Sequence, residues 1–590
     1  MSDEKSKKDR TEGPKKSTVV VVTVSIVAAL LAAFIGGLLL DPSAHHFHAA
    51  ISEVVERYSV DLPQLDMAEW NVNNYVSGLF ESSRRIFESR DFQVGRELAA
   101  KGYKPKHPVI LLPGLVTTGL ESWTTTEEDE SFFRQRLWGT SSMFRAIMTD
   151  KKKWIRQMTL DPVTGLDGKG IRVRAAEGLD AASYFAAGYW VWNRIIQNLA
   201  AVGYDLDMMY LASYDWRLSM SNLEERDHYF SKLKDRFEQN LRIHGAKSVL
   251  VTHSMGGTVG YYFLKWVENN AGADWVDKHV EALTLVASTM LGVPKSMAAL
   301  MTGEMRETVD VPDALERVLE MFLGADERAP LFRSWAGSAS LIPKGGETIW
   351  GNLTWAPDDF PGTNRTFGSF FDYKTENATE SMDLTKSIDW LLEHAPETYR
   401  NMLASNYSFG FERDPRKIAR NNKDQTKWTN PLETSLPNAP NMKIFCIYGY
   451  GLPTERGYYM RHNDQPEQTH RHSRIDTSVV SDEGAYNVTA GCKDGDGDGT
   501  VTLVSLGGMC TGGWKQRRYN PGNSPLTVHE ILHEPDALDL RGGEKTGQHV
   551  DILGSRDVNE AIVKIATGNG DDVGDLFVSP IREYSSRINW

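Results

Sequence analysis

A mostly parallel α/β sheet with helices on both faces is the fold class this 590-residue sequence predicts. Three observations carry it. Short apolar runs, each closed by turn residues, recur from His107 onward. Stretches with helical spacing of apolar residues lie between them. One run stops abruptly at "THSMGG", as a buried strand does when it turns straight into a helix. Hydrophobic residues make up 41% and charged residues 24%, the profile of a folded chain rather than a disordered one. A net charge of −14 leaves no basic field to hold nucleic acid.

Taken in order, residues 1–17 form a basic tail with Lys5, Lys7, Lys8, Arg10, Lys15 and Lys16. "TVVVVTVSIVAALLAAFIGGLLL", residues 18–40, carries no charge and is long enough to cross a hydrocarbon core of ~30 Å as one helix. Asp41 and three histidines follow it, so the positive-inside rule keeps the N-terminus cytosolic and sends the rest across, as in a single-pass type II protein. Five N-x-S/T sequons, at Asn352, Asn364, Asn377, Asn406 and Asn487, all lie on the translocated side and fit the lumen of the endoplasmic reticulum. Residues 41–95 read as an amphipathic stem, and 96–590 as the lumenal domain. Within it "HPVILLPGL", "DMMYLASYDWR", "SVLVTHSMGG", "EALTLVAS" and "NMKIFCIYGYG" read as buried strands. "GYWVWNRIIQNLAAVGY" and "HYFSKLKDRFEQNLRIHG" read as helices. The alternation breaks over about 292–440, a Pro/Gly/Asn/Trp-rich stretch expected to form a lid above the sheet.

Chemistry points first to Ser254. Strand, tight turn and helix in that order are the context of the nucleophile elbow of α/β-hydrolases, G-x-S-x-G, although Thr252 replaces the first glycine. In that fold the acid and then the base follow the serine along the chain. Asp498 sits in "DGDGDGTVTLVS" before a β-branched run, and His549 sits in a loop before "VDILG". The oxyanion hole would use the main-chain N–H groups of Met255 and of Leu115, which follows Pro113-Gly114. Asp215-Trp216-Arg217 is read as a local ion pair that shapes the pocket, not as catalytic machinery.

Two patterns offer metal sites instead. "DGDGDG" opens like an EF-hand loop, but its twelfth position from Asp494 is Ser505 rather than a bidentate Glu, and "TVTLV" is not expected to be a helix. "HEILH", His529–His533, is a literal HExxH that Pro535 follows almost at once, with only the distant Glu560 as a third ligand. Neither calcium nor zinc is therefore expected, and the serine chemistry needs no cofactor.

With these residues in hand, the sequence resembles the lecithin:cholesterol acyltransferase family. "HPVILLPGL", "SYDWRLS", "THSMGG", "LGVPK", "IFCIYGYGLPTERGY", "DGDGTV" and "HVDILG" carry the resemblance over residues 107–554. "SFFRQRLWGTSSM", "YWVWNRIIQNLAAVGYD" and the anchor look most like its fungal phospholipid:diacylglycerol acyltransferase branch. The resemblance implies Ser254, Asp498 and His549 as the triad, with Asp498 chosen over Asp494 and Asp496 because it directly precedes Gly-Thr-Val. It implies a Cys446–Cys510 disulfide that leaves Cys492 free. It also implies transfer of an sn-2 acyl group from phospholipid to diacylglycerol without acyl-CoA. Water as acceptor (a phospholipase), a sterol acceptor, or an inactive lipid carrier are the competing readings. The sequence departs from the family at Thr252 and in lacking the extra cysteine pair of its soluble members.

Overall fold

The computed structural model describes residues 92–186, 189–311, 313–362, 365–375, 378–463, 471–481, 487–536, 539 and 541–590. The basic tail, the apolar span and the stem up to residue 91 lie outside the described residues, as do Asn364 and Asn377. Among the described residues no helix is long and apolar enough to cross a membrane.

The apolar runs become strands because a sheet buried on both faces tolerates few polar side chains. They are β1 (Val109–Leu112), β2 (Met209–Leu211), β3 (Ser248–His253), β4 (Val280–Val286), β5 (Lys443–Tyr450) and β6 (Leu526–Leu532). Every residue of β1 and β3 is buried. The six form one sheet in the order β6-β5-β4-β3-β1-β2, and every neighbouring pair is parallel. The first five match the expected runs. The sixth, "LTVHEIL", was not expected as a strand: it lies at the sheet edge, where a mixed polar pattern is allowed.

The helices include α1 (Gln93–Ala100), α2 (Asn193–Ala201), α3 (Tyr229–His244), α4 (Met255–Asn270), α5 (Pro294–Thr302), α6 (Leu503–Thr511) and α7 (Arg556–Ala566). Of these, α3, α4, α6 and α7 pack on the sheet, and α5 packs on Leu452–His462 and Ser473–Ile475. In α3 the buried residues Tyr229, Phe230, Leu233, Phe237 and Asn240 recur with helical spacing, and Gly245 at φ 65° ends the helix in the left-handed conformation. α6 corrects one expectation in part: Thr500–Thr502 of "TVTLV" are not helical, but the chain turns helical at its last two residues, Leu503 and Val504.

A second, mixed sheet lies beside the first in the chain. Its strands are Phe371–Lys374, Thr379–Met382, Leu452–His462, Ser473–Ile475, Val488–Thr489 and Cys492–Gly497. It draws on residues both inside the 292–440 stretch and beyond it. β5 runs through Gly451, at φ 94°, straight into Leu452–His462, and Cys492–Gly497 returns antiparallel with Gly497 opposite Leu452. The acidic loop is thus delivered by the second sheet to the C-terminal edge of the first.

Candidate active site

Ser254 follows the last residue of β3 and caps α4, with φ 57° and ψ −128°. A non-glycine residue at such a φ is strained and needs close support. Three glycines allow it. An ideal Cβ on Gly114 would lie 2.8 Å from Ser254 Cβ, one on Gly256 2.5 Å from the Leu112 carbonyl oxygen, and one on Gly257 2.2 Å from Ser288 Oγ. Thr252 fits where a glycine was expected because α4 yields the space instead. A Cβ on Gly260 would lie 3.1 Å from Thr252 Cγ2, and the threonine hydroxyl donates to the Thr284 carbonyl at 3.2 Å.

His549 and Asp498 converge on this serine. His549 Nε2 is 2.9 Å from Ser254 Oγ, and His549 Nδ1 is 2.7 Å from Asp498 Oδ2. Asp498 is fully buried, and its other oxygen accepts the N–H groups of Thr500 at 3.0 Å and Val501 at 2.7 Å. The His549 N–H donates to the Asp498 carbonyl at 2.9 Å, so main chain and side chain of the two loops lock together. A carboxylate facing Nδ1 fixes the tautomer with its proton there and leaves the Nε2 lone pair for the serine hydroxyl. The arrangement can take a proton from Ser254 and return it to a leaving group.

Met255 is the first residue of α4, and Leu115 follows the glycine that abuts Ser254. Sequence reasoning missed what holds the Leu115 loop. Tyr214 Oη donates to the Pro113 carbonyl at 2.9 Å and Thr117 Oγ1 to the Gly114 carbonyl at 3.0 Å. Trp138 Nε1 donates to Val116 at 2.7 Å and Trp216 Nε1 to Thr118 at 3.0 Å. Four side-chain donors thus fix the loop's carbonyls before any substrate arrives, which is the preorganisation an oxyanion site requires. The tryptophans also pack on one another, with ring centroids 5.2 Å apart for Trp138–Trp216 and 4.9 Å for Trp216–Trp335. The Asp-Trp-Arg motif carried the only signal.

Asp215 and Arg217 are both fully buried and pair at 2.7 Å, with Arg226 at 2.9 Å from Asp215 and Asp167 at 3.1 Å from Arg217. Burial alone would raise the Asp215 carboxyl, but Arg217 and Arg226 outweigh it and hold it well below the usual carboxylate range. Cys446 in β5 is bonded to Cys510 in α6, and Cys492 is a free, buried thiol. Of the described sequons, Asn487 is exposed. Asn352 turns its side-chain oxygen back onto Thr354, whereas Asn406 donates to Met402 and accepts from Ser221.

The metal-like motifs have other duties. "HEILH" lies in and just beyond strand β6, so its histidines, four residues apart, stand about 13 Å from each other and cannot share one zinc ion. Glu530 accepts from Tyr448 at 2.9 Å, from the N–H groups of Val578 and Ser579, and from the Ser579 hydroxyl. Asp494 pairs with Arg306 at 2.9 Å, with burial pushing its carboxyl up to about 6, and Asp496 accepts the Gly451 N–H. Among the described residues no group of three His, Cys, Asp or Glu side chains is placed to hold a metal ion.

A serine on a strained strand-to-helix turn, with a buried acid and a histidine supplied later in the chain at the ends of a parallel sheet, is the constellation of serine-nucleophile α/β enzymes. The family model for lecithin:cholesterol acyltransferase matches residues 132–556. The phospholipid:diacylglycerol acyltransferase of Schizosaccharomyces pombe is 44% identical over 85% of this chain and 79% of its own. That of Saccharomyces cerevisiae is 36% identical over 95% and 87%, and phospholipid:diacylglycerol acyltransferase 1 of Arabidopsis thaliana is 34% identical over 84% and 85%. The chain belongs to the lecithin:cholesterol acyltransferase family.

Proposed function

We propose that this protein transfers an acyl group from a phospholipid to diacylglycerol, yielding lysophospholipid and triacylglycerol. The observation that carries the reading is a hydrogen-bonded Ser254–His549–Asp498 set in a chain 44% identical to a phospholipid:diacylglycerol acyltransferase. Ser254 attacks the sn-2 ester carbonyl while His549 Nε2 takes its proton, and the Met255 and Leu115 amides hold the oxyanion. The imidazolium, stabilised by Asp498, gives the proton to the departing lysophospholipid oxygen. His549 then takes the proton of the diacylglycerol hydroxyl, which attacks the acyl-serine and frees Ser254. The acyl group arrives already activated as an ester, so acyl-CoA has no part in either step.

We read the fold as an α/β-hydrolase with the 292–440 segment contributing to a lid, and residues 18–40 as a type II anchor that keeps the domain in the lumen of the endoplasmic reticulum. Two features support this placement. A buried disulfide suits an oxidising compartment, and the sequons lie on the translocated side of the anchor. Anchoring also fits the chemistry, since both substrates reside in the bilayer.

The test uses the full-length protein in mixed vesicles of sn-2-labelled phospholipid and diacylglycerol, with Ser254→Ala beside it. Label in triacylglycerol that the variant fails to produce is the expected result. Label in free fatty acid alone would keep the nucleophile and make the protein a phospholipase.

A further inference from the structure

The loop that carries His549 is held on both sides by histidines that the acyl-transfer steps do not use. From the nucleophile strand, His253 Nε2 lies 2.8 Å from the His549 carbonyl oxygen. Just beyond β6, His533 Nδ1 accepts the Gly547 N–H at 3.1 Å. Between these contacts the loop presses on β5, where an ideal Cβ on Gly449 would lie 1.8 Å from the Gly547 carbonyl oxygen. The loop therefore has little slack, and two imidazoles set where it sits.

We propose that His253 and His533 are positioning residues that hold His549 between Ser254 and Asp498, His253 by donating a hydrogen bond to its loop and His533 by accepting one. The proposal rests on the triad reading above. It also gives the second histidine of "HEILH" a role: it supports the general base.

The two bonds dictate protonation. A carbonyl oxygen only accepts, so His253 carries its proton on Nε2; an amide only donates, so His533 keeps Nδ1 bare. Burial, with His549 adding to it, pushes His253 down to about 3, so it stays neutral throughout the working range. It must do so, because its ring lies 5.0 Å from that of His549, which becomes cationic as Ser254 attacks. Its Nδ1 is buried with no hydrogen-bond partner among the described residues, so no competing bond pulls the ring away.

His533 is the titratable partner of the two. Burial lowers it from the ordinary histidine value, and no charged group contributes. Four ionisable groups on the elements around it are engaged with other partners. Glu534 beside it pairs with Lys545 of the loop at 2.9 Å, Tyr450 of β5 donates to the Val578 carbonyl, and Glu530 of β6 holds Val578 and Ser579. A proton gained at Nδ1 sets a donor against the Gly547 N–H and breaks the contact. The proton that His533 takes up should therefore contribute to the fall of activity on the acid side.

Two readouts on the full-length protein test this: triacylglycerol formation in the labelled vesicles, and inactivation by a fluorophosphonate, which reports Ser254 and His549 without lipid. His533→Leu should slow both about 10–100-fold with KM for phospholipid unchanged, the scale expected of a displaced base. His533→Asn, whose Oδ1 takes the place of Nδ1, should recover most of that rate and remove the His533 contribution from the acid limb. His253→Gln, which still presents an N–H to the His549 carbonyl, should outperform His253→Leu. A His533→Leu protein that reacts at the wild-type rate overturns the proposal. So does an acid limb unchanged in His533→Asn, which can be read even if the leucine variant does not fold. Ser254→Ala and His549→Ala run alongside: activity in either defeats the triad reading itself, whereas inactivity in both with wild-type His533→Leu defeats only this proposal.

Discussion

Thr252→Gly would restore the usual elbow sequence, and the packing around it predicts that the restoration destabilises the protein. The side chain is fully buried between β4 and α4. Removing two buried carbons loses roughly 1.6 kcal/mol. The hydroxyl bond to Thr284 adds about 1 kcal/mol, and glycine in a strand costs about 0.5–1 kcal/mol more. The sum is about 3 kcal/mol. Turnover per active site should hardly change, because Gly114, Gly256 and Gly257 fix the Ser254 backbone independently. Gly260→Ala sharpens the test. In the wild-type background its new methyl meets Thr252 Cγ2 at 3.1 Å; with Thr252→Gly it enters the vacated space and gains about 1 kcal/mol of helix propensity as well. Urea unfolding of the four proteins, followed by tryptophan fluorescence, gives the coupling. A Thr252→Gly protein as stable as wild type would refute the reasoning. So would Gly260→Ala effects that add within about 0.5 kcal/mol, the range of independent sites.

Asp498→Asn should leave the fold intact, since the amide oxygen can still accept from Thr500 and Val501, yet lower kcat about 10⁴-fold by facing His549 Nδ1 with a donor; circular dichroism and the vesicle assay check both halves. Replacing Cys446 and Cys510 by alanine opens a loop of sequence separation 64, and chain entropy puts the loss at about 4 kcal/mol, measurable as a shift in the urea midpoint. Lys344 is fully buried with Nζ donating to the Ser340 carbonyl at 2.7 Å, and burial pulls it down to about 7. The unfolded chain keeps that proton to about pH 10.4, so unfolding takes up a proton between about pH 7 and pH 10 and stability rises with pH across that window. Lys344→Met should stabilise the protein at pH 7 on the order of 2–4 kcal/mol and flatten the rise; an unchanged slope would remove Lys344 as its source.

The sequence made the parallel sheet legible through five apolar runs, because burial on both faces leaves an uninterrupted signature in each. β6 escaped because an edge strand can hold His529 and Glu530, and its HExxH spelling drew attention to helical metal sites. The helix at Leu503 escaped for a related reason: "TVTLV" is β-branched at its start, yet Thr502 is only the cap and the body is "LVSLGGMCT". Ser254, Asp498 and His549 could be found because chain order and local context restrict the choices. The donors that fix the Leu115 loop could not, since Tyr214, Trp138 and Trp216 act through side-chain directions that no spacing encodes. The two imidazoles flanking His549 were hidden likewise, their partners being main-chain atoms distant in sequence.

The strand that ends at Gly497, one residue before Asp498, belongs to the second sheet, and its partner strand follows β5 directly through Gly451. The acid is therefore built onto the second sheet, which also draws strands from the 292–440 stretch. Descendants of this chain can lengthen or recolour the far end of Leu452–His462, where it pairs with Ser473–Ile475, while inheriting the chemistry intact. Alterations near Gly497 reach the carboxylate at once, for that glycine already lies against Val501 and Thr454. Diversification in this lineage should thus be graded along one strand, Leu452–His462, permissive at its outer end and silent at its root.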